Sequence, residues 1–388
     1  MQAHRDLFAT CGGRRLWGVA SSSNFSASGG LTIEPLPVPQ GPEAAASPDF
    51  KAFHALRIAH ELALWGDLNH SATLAESFMF WQGNEYEKRQ VYLARLDGVV
   101  VGSGSLTLPL SENTTTAGVD VVVDAAFRRR GIGTRILKFL EEAAVERNRT
   151  SLDGYCGEPI APVLAGEALL EAKSGTGAVP LDAASTRFAL HHGYSLEQVE
   201  TSSTLTLPVD EAHLIALEVE AMRRATEYDI IAWTDECPEE LVDRFATLKS
   251  LMSTEVPIAG LGWEGEEWDA VRVRREESTW QASGVNSVVA AAQHHGSGEL
   301  AAYTVLTHRE ALPAVVNQED TLVAPGHRGH GLGMLVKIAN LRSAEDLWPD
   351  ATCVMTWNAN ENRHMLAINI ALGFKPSGFE GEWQKRLG

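Results

Sequence analysis

The stretch FRRRGIG at residues 127–133 recurs, nearly matched, as HRGHGLG at 327–333. Each copy has arginine at its second position and closes on G-x-G, and each follows a strand-like run, AGVDVVV at 117–123 and DTLV at 320–323. After each turn the apolar residues take helical spacing: Ile132, Ile136, Leu137, Leu140 and Ala144 in the first, Leu332, Leu335, Val336 and Ala339 in the second. The unit is strand, basic glycine turn, helix. A helix start exposes unpaired N–H groups and the positive end of its dipole, so it attracts anions. Glycines let an anion approach the backbone, and the leading arginine adds a charge-assisted contact. The spacing R-x-x-G-x-G lacks both the G-x-G-x-x-G of a dinucleotide fold and the Lys-Ser/Thr of a P-loop, and a diphosphate is the ligand it suits.

Around these turns the chain duplicates. Asp120 and Asp320, Val123 and Val323, Arg128 and Arg328, Gly131 and Gly331, and Gly133 and Gly333 share one offset of 200 residues. That is a whole-domain repeat, far longer than the roughly 20–50 residues of a solenoid. The first copy begins with a helix in SPDFKAFHALRIAHELALWG, with Ser47 as N-cap, Pro48 at its first position and Phe50, Phe53, Leu56 and Ile58 on its face. A second helix includes TLAESFMFW, and VYLARL and VVVGSGSLTL form a hairpin across Asp97-Gly98. The second copy repeats the order: strand EYDIIAW, helix CPEELVDRFATLKSLM, and a hairpin of VNSVVAAA and ELAAYTVL across HHGSG. Both copies close a helix on glycine and an aromatic, in STRFALHHGY and HMLAINIALGF. The first carries an insertion near 157–180, GEPIAPVLAGEALLEAKSGTGAVP, rich in Gly and Pro. SSTLTLPVD reads as its last strand. The organisation expected is a disordered leader at 1–30, a first domain at 31–209 and a second at 210–388.

Composition narrows the class. The 388 residues suit two domains, and no apolar run approaches the roughly 20 residues that span a bilayer. A net charge of −19 disfavours a nucleic-acid surface and favours a cationic small molecule, although acidity also serves solubility alone. Cys11, Cys156, Cys237 and Cys353 show neither disulfide nor zinc spacing, which fits a reducing cytoplasm.

With these residues in place, the chain resembles the GNAT superfamily of acyl-CoA N-acyltransferases, whose central motif is Q/R-x-x-G-x-G/A. The resemblance covers nearly all of 31–388 as two consecutive domains, similar to mycothiol synthase and related actinobacterial acetyltransferases. It implies an α/β (α+β) fold of two tandem domains, each a mixed, mostly antiparallel sheet flanked by helices. Acetyl-CoA would serve as cosubstrate, lying where the strand before the turn splays from the next parallel strand, and no metal is implied. The coenzyme-A contacts would fall on Val323, Arg328, Gly329, His330, Gly331, Leu332, Gly333 and Met334, and in the first copy on Val123, Arg128, Arg129, Arg130, Gly131, Ile132, Gly133 and Thr134. The family's later motif, N-x-x-A-x-x-x-Y-x-x-x-G-F, matches at Asn362 and Gly373-Phe374, but Asn369 stands where its tyrosine acid belongs. In the first copy Asp182 and Ala189 replace the Asn and the Tyr. The second domain therefore reads as catalytic and the first as degenerate.

Acetyl transfer to a primary amine of a small molecule needs a route for the amine's proton and a donor to the carbonyl oxygen. Glu319 and Asp320 are the candidate carboxylates, and strand alternation sends them to opposite faces, so one of them should meet the cleft. The segment LGWEGEEWDA at 261–270 offers either an aromatic, acidic wall for an ammonium or a solvated loop with its tryptophans in the core. His327 and His330 form an HxxH on the turn itself, where a metal would compete with the phosphate. Cys353 reads as a buried strand cysteine. Two other readings stay open: a coenzyme-A-binding regulatory module without catalysis, and a Fem-type transferase using aminoacyl-tRNA. Neither nucleic acid nor membrane is expected as a partner of the first reading.

Overall fold

The computed structural model describes residues 30–40 and 46–387, so the leader assigned to 1–30 lies outside the described residues except for Gly30. Two compact units emerge. One runs to Tyr155 and takes in the tail from Gln384, and the other runs from Cys156 to Trp383.

In the first unit the order is β1 (Leu31–Leu36), α1 (Pro48–Trp65), α2 (Leu74–Trp81), β2 (Glu87–Leu96), β3 (Val99–Pro109), β4 (Thr116–Val123), α3 (Ile132–Val145) and β5 (Ser151–Pro159), the last crossing the boundary. Ser47 caps α1 by accepting the Phe50 N–H at 3.1 Å, and Pro48 fills the position where no N–H is needed. Thr73 and Glu76 exchange the reciprocal bonds of a capping box at the start of α2. Phe50, Phe53, Phe78 and Trp81 then meet edge to face at centroid distances of 5.2 to 5.7 Å. Each such side chain contributes roughly 1.5–3 kcal/mol of burial. Asp97 (φ 52°) and Gly98 (φ 82°) turn β2 into β3, as their residue types require.

The second unit continues with α4 (Ala161–Leu164), β6 (Leu169–Glu171), β7 (Ala178–Pro180), α5 (Ala184–His191), β8 (Ser195–Thr206), α6 (Glu211–Met222), β9 (Tyr228–Thr234), α7 (Val242–Glu255), α8 (Ala270–Ala282), β10 (Val285–His294), β11 (Leu300–Arg309), β12 (Val315–Val323), α9 (Leu332–Leu347), β13 (Cys353–Ala359), α10 (Arg363–Leu372) and β14 (Lys375–Arg386). Its strands lie in the order β14-β8-β13-β12-β11-β10-β9. The pairs β8–β13, β11–β12, β10–β11 and β9–β10 are antiparallel, and β12–β13 is parallel. Helices α7 and α8 cover one face over Trp233, Phe245, Val289, Tyr303 and Leu322. Helix α9 covers the other, and the small side chains of Ala290, Ala292, Ala301 and Ala302 let Leu332, Leu335 and Val336 approach closely.

One placement departs from the sequence reading: strand β8 closes the first copy in sequence, yet its C-terminal part pairs with β13 of the second copy, from Thr206↔Cys353 to Glu200↔Ala359. The insertion near 157–180 lies largely at the surface but is anchored. Its β6–β7 ribbon hangs on β8 through Lys173 N–H to Leu196 O (3.0 Å) and Ser174 N–H to Glu197 O (3.2 Å), with Gly177 packed on Val199 and Asn360. Helix α8 had no counterpart in the sequence reading. Five of its 13 residues are charged, and only Val273 and Glu277 are buried, so it shows little apolar period.

Candidate active site

The two turns share one backbone shape. Gly131 (φ 77°) and Gly331 (φ 75°) precede α3 and α9, and neither helix has a side-chain cap. The N–H groups of Ile132, Gly133, Leu332 and Gly333 find no acceptor among the described residues. Arg129 (φ 63°) adopts the left-handed conformation that Gly329 (φ 87°) adopts without strain.

The arginines prove to be partly structural. Arg128 Nε donates to Val123 O at 3.0 Å and Arg328 Nε to Val323 O at 3.4 Å, so each folds back on the end of its strand. The rest of the Arg128 guanidinium meets His60 Nδ1 at 3.2 Å, and that of Arg328 pairs with Glu255 at 2.6 Å. The imidazoles of the HxxH are also engaged, His327 Nδ1 with Tyr228 Oη (2.9 Å) and His330 Nδ1 with Arg224 O (3.0 Å). No group of three or more His, Cys, Asp or Glu suited to a metal occurs among the described residues.

Ahead of each turn the parallel strands part after three residue pairs. Thr116–Gly118 of β4 pair with Ser151–Asp153 of β5, and Val315–Asn317 of β12 pair with Cys353–Met355 of β13. From Gln318 to Val323 the β12 edge has no strand partner on that side, which leaves backbone groups for an extended ligand.

Only the second copy bends here. The register of β11 and β12 slips between Thr304↔Thr321 and Leu306↔Gln318, so Glu319 and Asp320 together oppose Val305. This corrects the alternation expected for the two acids. Both point to the face covered by α7 and α8: Asp320 Oδ2 accepts from Tyr303 Oη–H at 2.9 Å, and Glu319 Oε1 accepts from Thr307 Oγ1–H at 2.6 Å. In the first copy β3 and β4 pair without interruption from Gly102↔Val123 to Thr107↔Gly118, and Asp120 is ion-paired with buried Arg57 of α1.

Asp320 is also held by Lys249. This α7 lysine is 3% exposed and reaches Glu276 Oε2 of α8 at 2.7 Å and Asp320 Oδ2 at 3.4 Å, with the Trp268 ring 4.3 Å away. Burial by itself lowers the Lys249 pKa, but the two carboxylates outweigh it and raise it above the ordinary value. Burial and the Asp320 charge push the Tyr303 phenol well up, so it stays a donor. Asp320 Oδ2 is therefore shared by an ammonium and a phenol. The segment 261–270 takes the second of its two readings at Trp268, which packs on the α7–α8 core and donates to Glu266 at 3.2 Å.

At the later motif Asn362 is the N-cap of α10, accepting from Met365 N–H at 3.2 Å. Asn369 is 2% exposed; its Nδ2 donates to Asn358 Oδ1 at 2.6 Å, and its Oδ1 has no partner among the described residues. Asp182 of the first copy pairs with Arg187 at 2.5 Å on the surface. Cys353 is half-exposed rather than buried, because it sits at the start of β13 near Ala314 O (3.7 Å). Lys249, Glu276 and Tyr303 were missed in the sequence. A signal was there: Val242, Phe245, Ala246 and Lys249 follow i, i+3, i+4, i+7, which puts a charge on an apolar stripe.

Known proteins share this fold. The sequence profile of the Acetyltransferase (GNAT) family matches residues 55–156. A tandem GNAT protein from the clavulanic acid biosynthesis pathway, solved without AcCoA, superposes with a TM-score of 0.68 at 25% identity, over 92% of this chain and 99% of that one. Residues 55–156 thus match a GNAT acetyltransferase domain, and the chain as a whole has a fold similar to that of a tandem GNAT protein. A GCN5-related N-acetyltransferase from Sphaerobacter thermophilus shares the fold alone, with a TM-score of 0.55 at 14% identity over 92% of this chain and 95% of that one. Comparison with curated proteins gives no match. The tandem GNAT relative and the family match support acyl transfer as the general reaction. The family match falls in the first copy, whereas the bulged strand belongs to the second. No helix among the described residues is long and apolar enough to cross a membrane.

Proposed function

We propose that the second copy transfers an acetyl group from acetyl-CoA to a primary amine of a small molecule. The observation that carries this reading is the β12 bulge, which the first copy lacks, beside the parting of β12 from β13 before an uncapped helix start that both copies share. Acetyl-CoA supplies an activated acyl thioester. Its diphosphate suits the N–H groups of Gly329, His330, Gly331, Leu332 and Gly333 with Arg328 beside them, and its pantetheine amides suit the open edge from Gln318 to Val323. Val323 and Met334 border that path, and Asn362 acts through the cap of α10.

In this reading the main-chain N–H groups at the β12 bulge donate to the acyl carbonyl. The amine forms its bond to the carbonyl carbon as the carbon–sulfur bond breaks, and the amine's proton passes through water to Glu319. We favour Glu319 over Asp320 because Asp320 already holds Lys249 and Tyr303. Asn369, at the motif position of the family's tyrosine acid and bonded to Asn358, is the donor to the leaving sulfur in this reading. The first copy, without the bulge and with Asp120 tied to Arg57, is read as a supporting domain. The family match at 55–156 favours a second reading, in which the Val123 and Arg128–Thr134 turn also holds coenzyme A.

Calorimetric titration with acetyl-CoA separates these readings by counting sites. Arg328→Ala is expected to weaken binding about 10- to 100-fold, the worth of a charge-assisted contact. Glu255→Gln, by releasing the Arg328 guanidinium, is expected to tighten it a few-fold. Full affinity in Arg328→Ala with loss in Arg128→Ala would move the site to the first copy.

A further inference from the structure

The bulge on β12 needs support, because two consecutive residues opposite one leave ladder carbonyls without their partners. Those carbonyls are taken up by two side chains, Gln318 and Thr304. Gln318 Nε2 lies 2.7 Å from Val305 O, 2.9 Å from Thr304 Oγ1 and 3.4 Å from Asp320 O. Thr304 Oγ1 reaches Asp320 O (3.2 Å) and Thr321 Oγ1 (2.7 Å). The Gln318 carboxamide is oriented in turn by Lys337 of α9, whose Nζ donates to Oε1 at 3.0 Å. One turn along α9, Asn340 Nδ2 donates to Val288 O and Thr304 O, both at 3.0 Å.

We propose that Lys337 and Gln318 are positioning residues for acyl transfer: they hold the β12 bulge in the shape that presents its backbone to the thioester carbonyl. This rests on the reading of the second copy as the acetyl-CoA site. The protein contains its own control. The 200-residue offset puts Leu137 and Leu140 at the positions of Lys337 and Asn340, and strand register puts Val119, opposite Leu106, at that of Gln318, opposite Leu306; all three are apolar, and the first-copy strands pair without a bulge. The polar set and the bulge occur together in one copy and are both missing from the other.

Apolar side chains would suffice for packing. Lys337 is 2% exposed, and the groups that face it are Gln318 from β12 and the Phe374 ring at 5.8 Å, with Thr304 of β11, Thr321 of β12 and Asn340 of α9 in the same hydrogen-bonded set. None of these carries a charge. Burial pushes the ammonium down to about 7, so its charge changes in the range where an enzyme of this kind works.

The test compares Lys337→Met and Gln318→Leu with wild type and with Leu137→Met as a control. Hydrogen exchange needs no ligand: the amides of residues 319–321 are expected to exchange at least tenfold faster in both variants and unchanged in Leu137→Met. In kinetics with acetyl-CoA and an amine mixture, both variants should keep the affinity for free CoA within about twofold and lose tenfold or more in kcat, and Lys337→Met should flatten the pH–rate profile near 7. Unchanged exchange at 319–321 overturns the support of the bulge. Faster exchange with wild-type kcat and pH profile overturns the link to acyl transfer. A wild-type protein that neither binds acetyl-CoA nor cleaves it sinks the underlying reading instead, and the exchange result then stands by itself.

Discussion

Replacing Gly331 and Gly131 one at a time by alanine should separate two turns that look alike in sequence. Both glycines hold φ near +76°, at 75° and 77°, where an L-residue costs about 1–2 kcal/mol. Around Gly131 an added Cβ meets nothing within 4 Å, so strain is the whole cost. At Gly331 the same atom lands 3.1 Å from Cα, Cβ and O of Ala221 near the end of α6, and a packed helix backbone yields little. Overpacking of that kind adds roughly 1–3 kcal/mol. Gly331→Ala is therefore expected to destabilise by about 2–5 kcal/mol and Gly131→Ala by about 1–2, a gap of roughly fivefold or more in the folding equilibrium constant. Gly329→Ala, with open space around it and Arg129 already at the matching position, should behave like Gly131→Ala. Urea unfolding with hydrogen exchange on peptides from α3, α6 and α9 reads each turn locally. Equal costs at 131 and 331, or a larger cost at 131, would refute the argument that α6 braces the second turn.

Two further outcomes follow from the buried charges. Lys249→Met leaves the Glu276 and Asp320 carboxylates buried without their cation, and a loss of about 3–5 kcal/mol in thermal unfolding is expected; wild-type stability would show that the network carries nothing. Because Lys337 titrates near 7 when folded and near 10.5 when not, the folded chain binds fewer protons between those values, so its contribution makes stability rise with pH across that window. The penalty of the buried ammonium is fully present below pH 7 and gone above 10.5, and Lys337→Leu should remove that slope while making the protein more stable at pH 6. An unchanged slope in chemical denaturation would place the titration elsewhere. The same residue is thus expected to cost stability and to support turnover, the usual trade at a working site.

Much of this protein is local, and local features are legible along the chain. Ser47 and Pro48 at α1, Asp97-Gly98 in the first hairpin, and the glycines before α3 and α9 act through their own φ angles and nearest N–H groups, so residue type and spacing were enough. The repeat was equally plain, because the same local signals occur twice at one offset. What the sequence could not state is partnership over distance. Strand β8 has the alternation of any strand, and only assembly decides that its neighbour is β13. A single slip of register between Thr304 and Leu306 turned Glu319 and Asp320 to the same face, against the two-residue period that strand reading assumes. That slip delivered Asp320 to a lysine 71 residues away and gave Gln318 two carbonyls to satisfy. Hydrogen bonds that join different elements depend on where the backbones come to rest, and that is settled by the packing of the whole sheet and its helices rather than by any one segment.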